Sequence, residues 1–234
     1  MIVVITSCLQ PITVKSFFSF EERLQQTRLG LAKLKRLNFD RSFLLDNSDL
    51  LDQTVLEDLL SDFKGLEKYY GRQFQFGNKG LNEALLILNH LRHLPPDVPI
   101  LKMSGRYYPN AHFEFPSSAL LSRYDFIGIG ENFDQRVSSF NTRAYFIRNK
   151  KVWETTLVLA VEEMLSYARG IHGLKSLIQS LADFYKPSPG VPYQLSLEQA
   201  LARVLKAKQN YLLLDKTNIE GYVAGSAQVN FIQE

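Results

Sequence analysis

Strand and helix patterns alternate along the first 109 residues, and this alternation predicts an α/β protein with a mostly parallel sheet and flanking helices. Residues 2–5 are a continuous β-branched run, as expected for a strand covered on both faces. Ser19 and Glu22 have capping-box spacing, and apolar residues then recur at helical spacing through residue 37. A second strand pattern at residues 41–45 completes a βαβ unit, which favours parallel pairing.

The later elements follow from caps, breakers and apolar spacing. Helices are predicted at 54–64, 78–91, 153–168, 173–185 and from 196, and strands at 73–76, 100–103, 124–129, 144–147 and 211–214. After residue 120 strands and helices no longer alternate, since two predicted strands follow each other without a helix between them. This predicts that the sheet becomes mixed. The proline-rich segment 186–192 is the best boundary, so we expect a main domain over 1–186 and a helical C-terminal extension over 187–234, packed on it.

Composition excludes several classes of protein. With 45% hydrophobic and 22% charged residues, the chain is expected to fold as a globular domain. Its net charge of +3 is too small to indicate a nucleic-acid partner. No apolar run approaches the ~20 residues of a membrane span, and no secretory leader follows Met1, so a cytoplasmic protein is expected. One cysteine and four histidines provide neither a disulfide nor a structural zinc site.

The carboxyl ends of the predicted strands contain the best candidates for ligand binding, since ligands of open α/β sheets bind there. Asn78, Lys79 and Gly80 place a cation and free backbone N–H groups at a helix start, which favours an anion. The alternative is a simple cap with a solvated lysine, and for this segment taken alone the simple cap is the better interpretation, because such caps are common.

A second candidate site surrounds a glycine after the fourth predicted strand. Lys102 and Arg106 flank Gly105, which lets the backbone approach a ligand closely. Two fixed cations can hold a diphosphate, and Arg106 can bind it with two parallel hydrogen bonds. The alternative is a surface loop with ordinary charges. We prefer the diphosphate interpretation because Lys102 lies inside an otherwise apolar strand.

These segments together resemble a known family. The chain has Ile5-Thr6-Ser7, then Leu44-Leu45-Asp46-Asn47-Ser48, then Asn78-Lys79-Gly80-Leu81-Asn82-Glu83-Ala84, then Ile100-Leu101-Lys102-Met103-Ser104-Gly105-Arg106-Tyr107. This order resembles bacterial GT-A-type (Rossmann-like) nucleotide-sugar glycosyltransferases, particularly those of surface-polysaccharide biosynthesis, over about the first 150 residues. The resemblance implies that Thr6, Ser7 and Asp46 hold the nucleoside, and that Asn78 and Gly80 lie beside the sugar diphosphate.

One departure from the family pattern concerns metal binding. Many GT-A enzymes have an Asp-x-Asp motif after the fourth strand that holds a divalent cation, and this chain contains no such motif. Lys102 and Arg106 stand near that position instead. We therefore expect protein cations to neutralise the leaving diphosphate, with no metal and no other cofactor.

An inverting transferase also needs a carboxylate that accepts the proton of the acceptor hydroxyl. Glu131 and Asp134 are the leading candidates because they lie in a polar stretch after a predicted strand. Asp125 is a further candidate. Glu162 and Glu163 are better explained by a solvated helix face, and His172 by a turn between helices. The sequence does not distinguish an inverting from a retaining reaction.

The sequence thus predicts an enzyme, a hexosyltransferase-like glycosyltransferase that moves a sugar from a nucleotide-diphosphate donor to a saccharide or lipid-linked saccharide. A sugar nucleotidyltransferase and a non-catalytic nucleotide- or carbohydrate-binding module remain alternatives. The basic residues of the first helix are compatible with peripheral contact at the inner face of the membrane, although a solvated helix face is the simpler interpretation. That set is Arg23, Arg28, Lys33, Lys35 and Arg36.

Overall fold

A seven-stranded sheet forms the centre of the protein in a computed structural model that describes residues 1–11, 18–72, 78–135, 138–168, 174, 195–223 and 230–233. Its strands are β1 (Ile2–Ser7), β2 (Arg41–Asp46), β3 (Leu66–Tyr70), β4 (Ile100–Ser104), β6 (Phe126–Glu131), β7 (Ser139–Ile147) and β8 (Tyr211–Leu213). They lie in the order β3-β2-β1-β4-β7-β6-β8. Only β7 runs against its neighbours, which confirms the prediction of a mostly parallel, mixed sheet.

Helices cover both faces of this sheet. They are α1 (Phe20–Leu34), α2 (Gln53–Leu59), α3 (Lys79–His90), α4 (Ser118–Arg123), α5 (Lys150–Ala168) and α6 (Leu197–Lys208). Alternate residues of β1 enter different cores: Val3 and Ile5 pack on the side of α1, whereas Ile2 and Val4 pack on the side of α3, α5 and α6. The two-sided burial explains why β1 is apolar at successive positions. None of the described helices is long and apolar enough to cross a membrane.

A second, smaller sheet lies against the carboxyl end of β4. It consists of β5 (Tyr107–Pro109), β9 (Ile219–Val223) and β10 (Asn230–Gln233), in the order β10-β9-β5. Neither β9 nor β10 is predicted by the sequence. Together with β8, which was predicted at 211–214, they show that the segment after residue 187 adds strands to both sheets as well as a helix.

The local signals predict several helix starts correctly. Ser19 and Glu22 form the capping box of α1, Asn78 caps α3, and Ser196 and Gln199 form the capping box of α6. The start of α2 differs from the prediction of a helix at 54–64, which rested on capping-box spacing between Thr54 and Glu57, because the N-cap is Asp52 and the helix begins at Gln53.

The third strand, β3, was not predicted from the sequence. It is formed by Leu66–Tyr70, at the edge of the sheet, where partial exposure lets charged residues enter the strand. The predicted strand at 73–76 lies outside the described residues, as do the boundary at 187 and all but one residue of the helix at 173–185.

Candidate functional site

The point where strand order reverses lies between β1 and β4. These two strands are parallel neighbours, and the connecting helices on either side of them, α1 and α3, pack on opposite faces of the sheet. A crevice therefore opens beyond their carboxyl ends, where ligands bind in open α/β sheets. The register pairs Thr6 with Ser104 at the end of β4, and Ser7 with Asp46 at the end of β2. The structure thus brings together residues that are far apart in the sequence.

Asp46 fixes the loops after β1 and β2 by hydrogen bonds. Its side chain is fully buried. One oxygen, Oδ2, accepts hydrogen bonds from Ser7 Oγ at 2.5 Å and from the Leu9 amide at 3.1 Å, while Oδ1 accepts one from the Ser48 amide at 2.9 Å. These internal donors engage both carboxylate oxygens. The structure therefore places Asp46 behind the loops that follow β1 and β2, and not in the open position expected for direct nucleoside contact.

Lys102 also differs from its expected place. Its side chain is fully buried on the side of α3, and its Nζ contacts Glu83 Oε1 at 2.5 Å, Ser104 Oγ at 3.0 Å and the Thr142 carbonyl at 2.5 Å. These three acceptors use the three donors of an ammonium group. The predicted pairing of Lys102 with Arg106 around an exposed diphosphate is therefore not what the structure shows, because a lysine inside a covered strand has to be neutralised within the core.

Arg106 extends from the turn after β4. The preceding Gly105 packs tightly on β1: its amide donates to the Thr6 carbonyl at 2.7 Å, and a Cβ there would lie 3.1 Å from Ser7 Cβ. Arg106 is partly buried, and its buried Nη1 has no hydrogen-bond partner among the described residues. Burial lowers the pKa of Arg106, and Glu83 is among the groups that oppose this shift. A buried guanidinium nitrogen without an acceptor calls for a ligand or a water molecule.

Further cations surround the end of β1. Burial, assisted by Asp46, raises the pKa of the Cys8 thiol to about 12, and Arg23, Lys79 and Arg106 all act in the opposite direction. Each of these three cations therefore acts electrostatically on Cys8. Arg23 is fixed there, since its Nη1 donates to the Cys8 carbonyl at 2.8 Å, while Lys79 is exposed at the start of α3. The combined field favours an anion at this end of the crevice.

Asn78 and Gly80, by contrast, join two helices. Asn78 Oδ1 accepts from the Leu81 amide, and its Nδ2 donates to the Leu195 carbonyl at 3.0 Å. A Cβ on Gly80 would lie 2.7 Å from Leu197 Cβ, so the glycine permits close contact between α3 and α6. These contacts account for both residues structurally.

The two predicted carboxylates lie apart from this cluster. Glu131 ends β6 and accepts a hydrogen bond from Ser139 Oγ at 3.4 Å, and Asp134 follows in the adjoining turn; both are exposed. Because β7 separates β6 from β4, the two strands are about 10 Å apart. The structure therefore does not bring Glu131 or Asp134 into contact with Thr6, Ser104 or Arg106.

A polar cleft adjoins the crevice on the side of β2 and β3. Its lining is rich in amides and consists of Asn47, Gly71, Arg72, Asn82, Leu86 and Asn89. His90 lies beneath it: a Cβ on Gly71 would be 2.8 Å from His90 Nε2. The sequence analysis did not identify this cleft, because its residues come from two strand ends and three turns of α3.

Glu83 and Arg23 are further residues of the site that the sequence analysis missed. Glu83 lies in the first turns of α3, and its Oε1 accepts from both Thr6 Oγ1 at 2.7 Å and Lys102 Nζ. A lysine in an apolar strand signals that a carboxylate must lie nearby, but the sequence does not show which one.

The donor set at the end of β4 does not suit a divalent cation. Lys102 and Ser104 occupy this position, and a buried ammonium group repels a metal ion. Within the described parts of the chain, no group of three or more His, Cys, Asp or Glu residues is arranged to hold a metal.

The strand order, the single antiparallel strand of the large sheet and the crevice between β1 and β4 define a GT-A-type fold, and solved structures with a similar fold are known. The glycosyltransferase GlyE of Streptococcus pneumoniae superposes with a TM-score of 0.51 at 15% identity, covering 92% of this chain and 45% of GlyE. An active-site mutant of LgtC gives 0.51 at 10% identity, covering 97% of this chain and 88% of LgtC.

A nucleoside-diphosphate-sugar pyrophosphorylase of Vibrio cholerae is also similar, with a TM-score of 0.48 at 11% identity and coverage of 94% of both chains. Comparison with protein-family models finds no match, and comparison with curated protein sequences finds none either. The similarity to solved structures therefore concerns the fold.

Proposed function

We propose that this protein is a glycosyltransferase that binds a nucleotide-diphosphate sugar in the crevice between β1 and β4 and transfers the sugar to a saccharide or lipid-linked saccharide, without a metal ion. The observation that supports this best is the buried Nη1 of Arg106, which has no partner among the described residues. Arg106, Arg23 and Lys79 all act electrostatically on Cys8, at the end of β1. GlyE and LgtC, which share the fold, are named a glycosyltransferase and a galactosyltransferase.

In this proposal Arg106 holds the diphosphate, and Arg23 and Lys79 add positive charge around it. The charge that develops on the leaving diphosphate would be stabilised by groups already fixed in place. The loops arranged by Asp46, which include Ser7, would hold the nucleoside. Asp46 would act there indirectly, by fixing those loops. Asn78 and Gly80 would contribute by fixing the start of α3, which places Lys79.

The test is calorimetric titration of a panel of nucleoside diphosphates, UDP, GDP, CDP and ADP, in the presence of EDTA. We expect at least one to bind, and Arg106→Met to weaken its binding by about 10- to 100-fold, as for loss of a charge-assisted hydrogen bond. Arg123→Met is the matched control, because Arg123 is exposed at the end of α4, and it should bind normally. Absence of binding by all four nucleotides, or equal affinity in the Arg106 variant, would refute the proposal.

Analysis of the reaction products distinguishes glycosyl transfer from nucleotidyl transfer. A glycosyltransferase releases a nucleoside diphosphate from a nucleotide sugar, and this release should be the same with and without EDTA. A strict requirement for added Mn²⁺ or Mg²⁺ would overturn the metal-independent part of the proposal. Release of pyrophosphate from a nucleoside triphosphate and a sugar phosphate would instead indicate a sugar nucleotidyltransferase.

A further inference from the structure

The geometry points to Glu83 as the carboxylate that contacts the transferred sugar, and to Lys102 and Thr6 as the residues that position it. This inference rests on the proposed function, and it replaces the more distant Glu131 and Asp134 as the acidic group nearest to the reacting atoms.

Glu83 is held on one side and open on the other. Its Oε1 accepts a hydrogen bond from Thr6 Oγ1 at 2.7 Å and forms an ion pair with Lys102 Nζ at 2.5 Å. Its Oε2 has no hydrogen bond or ion pair within the described part of the chain. The side chain is 23% exposed, whereas that of Lys102 is not exposed at all. The pair is therefore asymmetric: the cation is fully buried in the core, whereas the anion is partly exposed next to Thr6, at the end of β1.

The ion pair is costly for a purely structural contact. Burying Lys102 removes its hydration, and apolar residues of similar size often give equal or greater stability than a buried ion pair. Two further groups, Ser104 Oγ and the Thr142 carbonyl, complete its coordination, and Thr142 Oγ1 donates to Glu198 at 2.8 Å. This network holds the Glu83 carboxylate in one orientation, which is the requirement for a group that recognises a ligand.

Glu83 also lies near the proposed diphosphate site. Its Oε1 accepts from Thr6 Oγ1, Thr6 pairs with Ser104 at the end of β4, and Arg106 follows Ser104 by two residues. Glu83 also acts electrostatically on Arg106. A nucleotide sugar bound with its diphosphate on Arg106 would therefore have its sugar ring within reach of Glu83 Oε2. The site offers a cation for the leaving group and a fixed anion for the sugar.

A carboxylate at this place can accept hydrogen bonds from sugar hydroxyls and stabilise the positive charge that develops on the ring during glycosyl transfer. No bond forms to Glu83. The bond between the sugar and the diphosphate breaks with its electron pair going to the diphosphate oxygen, the acceptor oxygen forms the new bond, and the acceptor proton leaves with the diphosphate.

The experiment measures the affinities of one nucleoside diphosphate and of its glucose, galactose, N-acetylglucosamine and N-acetylgalactosamine conjugates. The wild-type protein should distinguish these conjugates by at least about tenfold. Since Glu83→Gln alone would leave Lys102 buried and unpaired, the double variant E83Q/K102M is the main test. It should bind the free nucleoside diphosphate within about twofold of wild type while the differences among the conjugates disappear.

Lys102→Met alone keeps the carboxylate but releases it, so it should reduce the differences among the conjugates without abolishing binding. Glu154→Gln, an exposed carboxylate on α5, is the matched control and should keep the wild-type pattern. Equal affinities of the conjugates for the wild type, or an unchanged pattern in the double variant, would overturn the role of Glu83. Absence of any nucleotide binding would instead refute the proposed function.

Discussion

The burial of His90 beneath the polar cleft predicts a measurable pH dependence of stability. The side chain is 7% exposed, stacks near Tyr69 and His93, and has no hydrogen-bond partner for either ring nitrogen among the described residues. Burial, followed by the charges of His93 and Arg92, lowers its pKa to about 4. The neutral form is therefore strongly preferred in the folded protein.

The sign of the effect follows from proton linkage. A histidine in the unfolded chain has a pKa of about 6.5, so the unfolded chain binds a proton first as the pH falls. The contribution of neutral His90 to the unfolding free energy is fully present above about pH 6.5. It is lost as the pH falls from about 6.5 to the folded-state pKa of about 4. Between pH 7 and pH 5 this one group should cost about 2 kcal/mol of unfolding free energy.

The assay is urea unfolding of wild type and His90→Leu at pH 7 and pH 5, followed by the fluorescence of Trp153, the single tryptophan, which is fully buried. The difference in unfolding free energy between the two proteins should shift by about 2 kcal/mol in favour of the variant at the lower pH. Leu91→Val is the control, because it alters a buried neighbour that does not titrate. A difference between wild type and His90→Leu that is the same at both pH values would refute the reasoning.

Three further predictions concern packing, loop organisation and thiol reactivity. Gly80→Ala should lower stability in urea by about 1–3 kcal/mol, because its Cβ would overlap Leu197; full stability would show that α3 and α6 are farther apart. Asp46→Ala should lower the unfolding free energy by about 3 kcal/mol in thermal unfolding, because it leaves three hydrogen-bond donors without their acceptor. A melting temperature equal to that of wild type would contradict this. Cys8 has a pKa of about 12, so little of it is thiolate at pH 8 in the folded protein. It should react with iodoacetamide roughly a thousandfold more slowly there than in urea, as measured by mass spectrometry. Equal rates in the two conditions would show that the pKa of Cys8 is not raised.

The parts of the fold that depend on local signals are predictable from the sequence. The β1 run and the caps at Ser19, Asn78 and Ser196 involve residues within a few positions of one another, and the structure confirms them. The strand Leu66–Tyr70 was missed because an edge strand needs no continuous apolar pattern. The short strands β9 and β10 were missed because they are defined by pairing with β5 and with each other, which no local pattern reveals.

The arrangement of the candidate site depends on the register of the sheet, which the sequence alone does not show. For this reason the positions predicted for its charged residues differ from those in the structure. The last paired residue of β4 is Ser104, opposite Thr6. Lys102 lies two residues before it, within the paired part of a strand that is covered on both faces. Its side chain therefore has to be neutralised inside the core by Glu83, a partner 19 positions away in the sequence.

Arg106 lies two residues beyond the last pair, after the glycine that lets the turn pack on β1, and there no strand or helix supplies an acceptor for its Nη1. Lys102 and Arg106 look equivalent in the sequence, but Lys102 lies within the hydrogen-bonded part of β4 and Arg106 lies beyond its end. The residue inside the ladder can only position another group, whereas the residue beyond it is available to a ligand. Because that difference follows from register alone, substitutions of Lys102 should act mainly through Glu83 and those of Arg106 directly on the diphosphate.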